Sequence, residues 1–359
     1  MNIKTIKLVN FRNHSRYDLD LTRDTTLILG ENGWGKTSVL EAIYILLRGK
    51  SFRAVDAEIL KRGEEFYRVE LEYCNGDSIT ATFDGKEKNF IVLDKKNKRL
   101  PKKNKYPVVL FLPSDLNLIS SSPTRRREYF DKVFGQFDER YSNALLRYEK
   151  ALKQRNELLK NEYVSPDSLF SWNLLLAKYG VQVEAFREQF LAEINEKITD
   201  IYRSIAKNED EVRISLTGLL SDSVKSFDKN SDGVISGGEI GENGGDGNSI
   251  TEARYLSYLE KNTKRDIYLS HTSFGVHRDD FVFMFNKKVA DGSASRGETR
   301  SIILALKFIE AELIYQKTNL KPVILLDDVF SELDKTRQEC LVQNFKDNQV
   351  IITSTNYNQ

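Results

Sequence analysis

The sequence contains little cysteine, no long hydrophobic run and almost no net charge. Cys74 and Cys340, its two cysteines, stand far apart without metal-ligand spacing, which argues against a disulfide framework or a zinc module and fits a reducing cytoplasm. No stretch approaches about eighteen uncharged apolar residues and the N-terminus lacks a signal-peptide core, so we expect a cytoplasmic protein that crosses no membrane. The 54 basic and 53 acidic residues leave a net charge of +1, so a nucleic-acid-binding surface has to come from local clustering.

The composition is that of an ordinary globular protein with a large core. The chain has 359 residues, of which 40% are hydrophobic and 30% charged, which is enough for two domains. Apolar periodicity predicts strands at 3–9, 25–29, 66–73, 78–93, 281–285, 322–326 and 349–353, and helices after residue 37, from 126 to about 160, along 183–205 and from 297 to 316.

A phosphate-binding loop follows the second predicted strand. Its pattern of two glycines, lysine and threonine lies between a predicted strand and a predicted helix, which is the context that such a loop requires. The glycines let backbone amides turn toward phosphates, the lysine reaches the β- and γ-phosphates and the threonine hydroxyl binds magnesium. We therefore predict that ATP and Mg²⁺ are bound by Gly30, Glu31, Asn32, Gly33, Trp34, Gly35, Lys36 and Thr37.

An apolar strand that ends in two acids supplies the second half of this site. Residues 323–326 are apolar and lead into Asp327 and Asp328. Asp327 is placed to hold magnesium together with Thr37, and Asp328 is placed to orient or deprotonate an attacking water. We predict Asp328 as the catalytic residue of a weak ATPase.

A serine–glycine turn precedes the helix predicted at 297–316. Alone, Ser295-Arg296-Gly297-Glu298 is more often a helix cap than an anion site. Its order in the chain, however, resembles the signature motif of the ATP-binding-cassette (ABC) ATPases, and Ser331-Glu332-Leu333-Asp334 resembles their D-loop. The resemblance implies that the signature of one subunit covers the ATP of another, so that ATP gates formation of a homodimer. Residues 353–355 occupy the place of the transporters' switch histidine, which implies slow hydrolysis and argues against a transporter subunit.

Further segments resemble the RecF family of bacterial recombination mediators, part of the ABC and SMC-like superfamily. They cover nearly the whole chain in the family's order: residues 8–14 (Leu-Val-Asn-Phe-Arg-Asn-His), 40–44, 51–53, 122–131 (Ser-Pro-Thr-Arg-Arg-Arg-Glu-Tyr-Phe-Asp), 275–280 (Gly-Val-His-Arg-Asp-Asp) and 327–334. Arg296 and Glu298 stand where the family usually has two glutamines, and Trp34 where it usually has another.

The resemblance implies an α/β fold, with an ABC-type phosphate-loop ATPase head, an antiparallel β layer and an inserted α-helical arm. We expect the head at 1–125 and 265–359, and the arm at 126–264 with a Gly/Asp/Ser-rich insertion at about 218–249. The resemblance also implies a role in DNA repair, replication, recombination and the SOS response. The protein would dimerise on ATP, bind single-stranded, double-stranded and gapped DNA, and assist recombinase loading with RecO and RecR.

Two other functions remain in view. Another SMC-like or ABC chromosome-maintenance ATPase would be expected to carry longer coiled coils or a nuclease domain, and neither is visible. A phosphate-loop kinase for a small molecule would leave Ser295–Glu298 and Ser331–Asp334 without a role.

Basic clusters are the candidates for contact with DNA phosphates. Residues 95–105 contain seven basic residues in eleven, and this segment is either a solvated loop or a phosphate-contacting one, with Lys102 and Lys103 as the candidate contacts. Arg125, Arg126 and Arg127 are either the solvated face of a helix, paired with carboxylates of the same chain, or phosphate contacts without base readout.

An EF-hand-like pattern lies in the insertion. Its calcium ligands would be Asp228, Asn230, Asp232, the carbonyl of Val234, Ser236 and Glu239. No exiting helix and no second hand are predicted, so a flexible polar insertion and a structural Ca²⁺ site are both open.

Overall fold

A computed structural model of the chain describes residues 2–161, 163–218 and 251–355. The strands are β1 Ile3–Phe11, β2 His14–Asp20, β3 Thr25–Leu29, β4 Tyr67–Tyr73, β5 Ser78–Phe83, β6 Lys88–Val92, β7 Lys95–Asn97, β8 Val108–Phe111, β9 Val212–Thr217, β10 Asp280–Phe285, β11 Lys288–Val289, β12 Val323–Asp327 and β13 Val350–Ser354. The helices are α1 Lys36–Arg48, α2 Asp56–Ile59, α3 Pro123–Phe137, α4 Glu139–Leu158, α5 Pro166–Asn195, α6 Ile198–Ala206, α7 Glu252–Lys261, α8 Thr263–Leu269, α9 Ala290–Ser293, α10 Arg296–Thr318 and α11 Lys335–Asn344.

The chain divides into two compact units. The first contains residues 1–117 and 303–359, and the second contains residues 118–302. The sequence-based limits of the arm, 126 and 264, differ from these, because residues 265–302 belong to the second unit together with the helices. The boundary between residues 302 and 303 falls within α10.

A parallel sheet carries the predicted nucleotide-binding segments in the first unit. Its order is β3-β13-β12-β8, and every neighbouring pair is parallel. All five residues of β12 are buried, as expected for a strand covered on both faces. Because parallel strands end at the same edge, the segments that follow β3 and β12 lie at one edge of the sheet, on either side of the end of β13.

An antiparallel sheet forms the other layer of the first unit, in the order β2-β1-β4-β5-β6-β7. Helix α1 contacts β1, β4 and β5 of this sheet as well as β8, β12 and β13 of the parallel one. Nearly every residue of α1 is buried, and residues 39–47 are apolar on all sides apart from Glu41, as expected for a helix that is covered on every face. The predicted antiparallel β layer is therefore present, and the core lies around α1.

The second unit contains long helices and a three-stranded sheet, in the order β11-β10-β9. The helix expected from 126 to about 160 is two helices, because Asp138 has an extended backbone and caps α4 by accepting from the amides of Arg140 and Tyr141. Similarly, the apolar stripe along 183–205 is divided at residues 196–197 between α5 and α6. Periodicity alone does not detect such interruptions, because the apolar phase continues across them.

The expectations for a metal site and for membrane spans can be compared only with the residues that the structure describes. The predicted calcium ligands at 228–239 lie outside the described residues, so the Ca²⁺ site stays a prediction. Within the described ranges, no cluster of three or more histidine, cysteine or acidic side chains is arranged to hold a metal ion. None of the helices described is long and apolar enough to cross a membrane.

Candidate nucleotide site

The loop between β3 and α1 has the backbone that a phosphate-binding loop needs. Gly33 and Gly35 have φ values of +85° and +87°, a left-handed conformation that favours glycine. A Cβ atom on Gly35 would also collide with the imidazole of His14. This position therefore requires glycine for two independent reasons.

Lys36 is folded back over the loop. Its ammonium donates to the carbonyl oxygens of Gly30 at 2.5 Å and Glu31 at 2.9 Å, and the residue is only 8% exposed. A cation held here faces the concave side of the loop, beside the N-terminus of α1. Both features favour a polyphosphate.

Thr37 and Asp327 meet directly, although 290 residues separate them in the sequence. The Thr37 hydroxyl lies 2.8 Å and 3.0 Å from the two carboxylate oxygens of Asp327. Thr353, at the end of β13, donates to the same carboxylate at 2.9 Å. A hydroxyl and a carboxylate at this spacing form a hard oxygen donor set of the kind that Mg²⁺ prefers.

Asp328 lies at the same sheet edge with an unusual backbone. Its φ is +50°, and its amide donates to the carbonyl oxygen and hydroxyl of Thr353 at 3.1 and 3.0 Å. Its Oδ1 atom is buried and has no hydrogen-bond partner among the described residues. Burial raises the pKa of Asp328, Lys36 opposes this and Asp327 adds to it. A carboxylate with a spare acceptor and a raised pKa is suited to receive a proton.

These segments enclose a cleft of about 550 Å³. Its wall combines loop amides, cations and the two acids, which fits a nucleoside triphosphate with a divalent cation. The lining residues are Arg12, Asn13, Asn32, Gly33, Gly35, Lys36, Thr37, Ser38, Arg53, Ala54, Glu58, Asp327 and Asp328.

Two arginines of this cleft were not among the predicted site residues. Arg12 and Arg53 both bind the buried carboxylate of Glu41, with N–O distances of 2.8 to 3.0 Å, and Ser51 donates to it at 2.6 Å. Burial works against ionisation of Glu41, but hydrogen bonds from Arg12, Arg53 and Ser51 outweigh it and lower its pKa. Two guanidinium groups around one carboxylate leave this cluster with one positive charge in excess, on the side of the cleft that Arg12 and Arg53 line.

The turn between β1 and β2 braces the phosphate loop. Asn13 donates its amide to the carbonyl oxygen of Gly33 at 3.0 Å, and a ring nitrogen of His14 lies 3.1 Å from the carbonyl oxygen of Gly35. In the sequence, residues 8–14 and 51–53 are distinguished by family resemblance alone. That resemblance was the available signal for a role at the site, since no spacing rule connects them to the loop.

The signature segment, in the second unit, is a reciprocal helix cap. The Ser295 amide donates to the Glu298 carboxylate at 2.6 Å, and the Glu298 amide donates to the Ser295 hydroxyl at 3.3 Å. This is a capping box at the start of α10. Glu298 therefore occupies one of the amides that would otherwise face an anion.

The D-loop segment, in the first unit, is tied to the acidic strand. Ser331 donates its hydroxyl to the carbonyl oxygen of Asp328 at 2.7 Å. Leu333 is buried, and Asp334 caps α11 by accepting from the Arg337 amide at 3.0 Å. The Ser331 side chain is thereby tied to the backbone at Asp328.

Two of the three arginines proposed for DNA contact are directed into the protein. Arg126 forms a bidentate pair with Asp280 at 2.7 and 2.6 Å, and Arg127 donates to the carbonyl oxygen of Asp279 at 2.5 Å. Arg125 is exposed on α3. The geometry favours the internal-pairing alternative for Arg126 and Arg127.

Arg187, which lies on α5, connects the same two sequence motifs. Its guanidinium is 1% exposed and donates to Asp131 at 2.9 and 3.1 Å and to Asp279 at 2.9 Å. Asp131 ends the motif at 122–131 and Asp279 belongs to the one at 275–280. Together with the Arg126–Asp280 pair, the two motifs therefore form a buried ion network in the second unit.

The chain is similar to known proteins over almost its full length. The AAA ATPase domain model matches residues 1–354. The chain is 35% identical to the DNA replication and repair protein RecF of Ruminiclostridium cellulolyticum, over 99% of this chain and 93% of that protein. A solved structure of the recombination mediator protein RecF with ATP, from the RecFOR pathway, has a TM-score of 0.80 at 29% identity and covers 100% of this chain and 93% of its own.

A more distant structure agrees on the fold alone. The Smc head bound to the C-winged helix domain of ScpA has a TM-score of 0.51 at 14% identity, over 99% of this chain and 90% of that chain. The predicted α/β fold of the ABC ATPase class is thus confirmed, with its parallel and antiparallel sheets. At 35% identity over almost its full length, the chain belongs to the RecF family of DNA replication and repair proteins.

Proposed function

We propose that this protein is an ATP-dependent, DNA-binding recombination mediator that dimerises on ATP and hydrolyses it slowly. The observation that supports this most directly is the joining of Thr37 to Asp327 at 2.8 Å at the mouth of the phosphate loop. Residues from opposite ends of the chain form one donor set there, with Lys36 on one side and Asp328 on the other. Such a site is arranged for a triphosphate with a divalent cation.

Each residue of the site has a separate task. Lys36 neutralises the β- and γ-phosphates, and Thr37 and Asp327 would hold magnesium, which would supply further positive charge against the triphosphate. Asp328 accepts the proton of the attacking water. Thr353 keeps the Asp327 carboxylate in place and, lacking an imidazole, adds no second base.

Homodimerisation couples the site to DNA. The signature residues Ser295–Glu298 of one copy cover the triphosphate of the other, while Ser331–Asp334 pass on the state of Asp328. RecO and RecR are the proposed protein partners, and gapped DNA is the proposed nucleic-acid ligand. The support is the RecF relationship, because the ATP-bound neighbour is described as a recombination mediator of the RecFOR pathway. A chromosome-maintenance ATPase is the weaker alternative, since the Smc likeness at 14% identity extends to the fold alone.

The deciding experiment removes the ammonium of Lys36. Lys36→Met should weaken ATP binding by about 10- to 100-fold, because a hydrogen bond to a charged partner contributes about 1.5–3 kcal/mol. Trp34 is 65% exposed on the loop, so its fluorescence provides a titration signal. Mass and DNA binding are then measured for wild type and variant, with and without ATP.

The control for this test is Lys7→Met on the antiparallel sheet, which removes one positive charge away from the cleft. It should retain both the fluorescence change and the ATP-dependent dimer. A wild-type chain that stays monomeric and does not bind DNA in any nucleotide state would contradict the proposed function.

The charge of Glu298 should weaken ATP-linked dimerisation. Its carboxylate occupies the Ser295 amide at 2.6 Å, where it competes with a phosphate of the partner subunit. Glu298→Gln retains an acceptor for the cap but removes the charge at both sites of the dimer, so the dimer should tighten about three- to thirtyfold, since one charge at a helix N-terminus contributes about 0.3–1 kcal/mol. Sedimentation with a non-hydrolysable ATP analogue measures this, with Glu312→Gln on the same helix as control. An unchanged or weaker dimer would refute the competition.

A further inference from the structure

We propose that the basic loop, residues 95–105, is a contact surface for the phosphate backbone of DNA, fixed to the far end of the phosphate-loop helix. The loop starts on β7, the edge strand of the antiparallel sheet, and continues through a turn at Lys102–Asn104. This proposal rests on the proposed DNA-binding function and assigns it a place on the molecule.

The basic loop differs from the rest of its sheet in charge balance. It contains seven basic residues and no acidic one, and all seven are exposed. Lys98 lies 3.6 Å from Glu87 outside the loop, with the two side chains 82% and 62% exposed, so this ion pair contributes little. A row of exposed cations that includes no acid of its own attracts a polyanion.

Basic residues elsewhere on the same sheet are matched by acids. Lys4 pairs with Glu72 at 2.8 Å and Arg68 with Glu70 at 2.8 Å. On the neighbouring strands, Lys7 lies opposite both Asp18 and Glu70. The excess of positive charge on this sheet is therefore concentrated at the β7 edge.

The basic loop is anchored by buried residues, unlike a solvated connection. Leu100 is 4% exposed and Tyr106 is 7% exposed, so apolar side chains hold it at both sides of the turn. Within the turn, the amide of Asn104 donates to Pro101 at 2.9 Å and that of Lys105 to Lys102 at 3.1 Å. A fixed backbone presents its lysines in a constant arrangement, which lowers the entropy cost of binding.

The anchor connects the basic loop to α1. The Tyr106 amide donates to the carbonyl oxygen of Leu47 at 3.0 Å, and Leu100 packs beside Gly49, which ends the helix. Helix α1 has 13 residues and begins at Lys36, so at 1.5 Å per residue the loop lies about 20 Å from the phosphate site. DNA on the basic loop and ATP in the cleft would thus occupy opposite ends of one buried helix.

The chemistry of the basic loop specifies the class of ligand. Lysines bind phosphates as point charges and carry no base readout by themselves. We therefore assign a phosphate backbone without sequence preference. We assign the phosphate contacts to the basic loop in place of Arg126 and Arg127, because the guanidinium groups of these two arginines are hydrogen-bonded within the second unit.

The test neutralises part of the basic loop in the full-length chain. Lys96, Lys98, Arg99 and Lys103 are changed together to Gln, and binding to a labelled gapped duplex is titrated over a range of salt concentrations. We expect the affinity at low salt to fall by about tenfold or more. The salt slope should decrease by about 0.9 for each DNA phosphate that the variant no longer neutralises. ATP-induced thermal stabilisation should match wild type, which shows that the variant is folded.

A matched control removes the same number of charges from the same sheet. Lys4, Lys7, Arg16 and Arg68 are changed to Gln, and this variant should retain the wild-type affinity and slope. If the loop variant binds DNA as wild type does, or if both variants lose affinity equally, the inference is wrong while the proposed function stands. If wild type itself binds no DNA, the proposed function fails. Anionic vesicles and an acidic protein are titrated in parallel. If the loop variant keeps its DNA affinity but no longer binds one of these, the inference is also wrong.

Discussion

Asp328→Asn should reduce ATP hydrolysis by about 10²- to 10⁴-fold, the contribution typical of a positioned general base. Asparagine has nearly the same shape but does not accept a proton at the atom that Asp328 leaves without a partner, its buried Oδ1. Lys36, Thr37 and Asp327 are unchanged, so ATP should still bind. Under the proposed mechanism, in which hydrolysis removes interfacial phosphates, the nucleotide-bound dimer should then persist.

Phosphate release and dimer lifetime measure the two halves of this prediction. Asp347→Asn, an exposed change in the same unit, is the matched control and should behave as wild type. Normal turnover in Asp328→Asn would exclude Asp328 as the base. Loss of ATP binding in this variant would instead mean that the carboxylate has a binding role.

The pH dependence of turnover gives an independent check on Asp328. Burial raises its pKa above the ordinary aspartate value; the charge of Lys36 opposes this rise and that of Asp327 adds to it. The base functions when it is deprotonated, so turnover should increase as the pH rises through this raised pKa and decrease below it. The acidic limb should be absent from the residual activity of Asp328→Asn.

Arg187→Met should destabilise the second unit by about 3–5 kcal/mol, the effect of removing one partner from a buried ion pair. The guanidinium lies between Asp131 and Asp279 and also donates to Tyr141 and to the carbonyl oxygen of Val276. Methionine fills much of the same volume but removes the cation that contacts both carboxylates. The cost therefore comes from the acids that remain as well as from the lost hydrogen bonds.

Urea unfolding followed by the fluorescence of Trp172, which lies on α5, reports on this unit. Arg213→Met on β9, an exposed arginine, should change the stability by no more than about 0.5 kcal/mol. Burial raises the pKa of Asp279 to about 7 in wild type, although Arg187 opposes the rise. In Arg187→Met this pKa should rise further in the folded state, so stability that is present in acid is lost as the pH rises through it, and the deficit should shrink in acid. A deficit independent of pH would mean that lost packing explains the effect.

The sequence by itself determined the local chemistry of the nucleotide site. The spacing of Gly30, Gly35, Lys36 and Thr37, with an apolar strand before them, specifies a phosphate loop because only a strand–turn–helix places those amides and that ammonium together. The apolar run ending in Asp327 specified the second strand for the same reason. Family resemblance identified the RecF relationship, since the motifs occur in order along the chain.

The tertiary structure decided which side chains meet across long separations. It joined Arg12 and Arg53 on Glu41, because β1, α1 and the segment after α1 pack together, and no local periodicity encodes that meeting. It also directed Arg126 and Arg127 toward Asp280 and Asp279, whereas the sequence left contact with DNA phosphates open as the other alternative. Local spacing records contacts within one element and its neighbours, whereas burial and ion pairing depend on where distant segments of the folded chain lie.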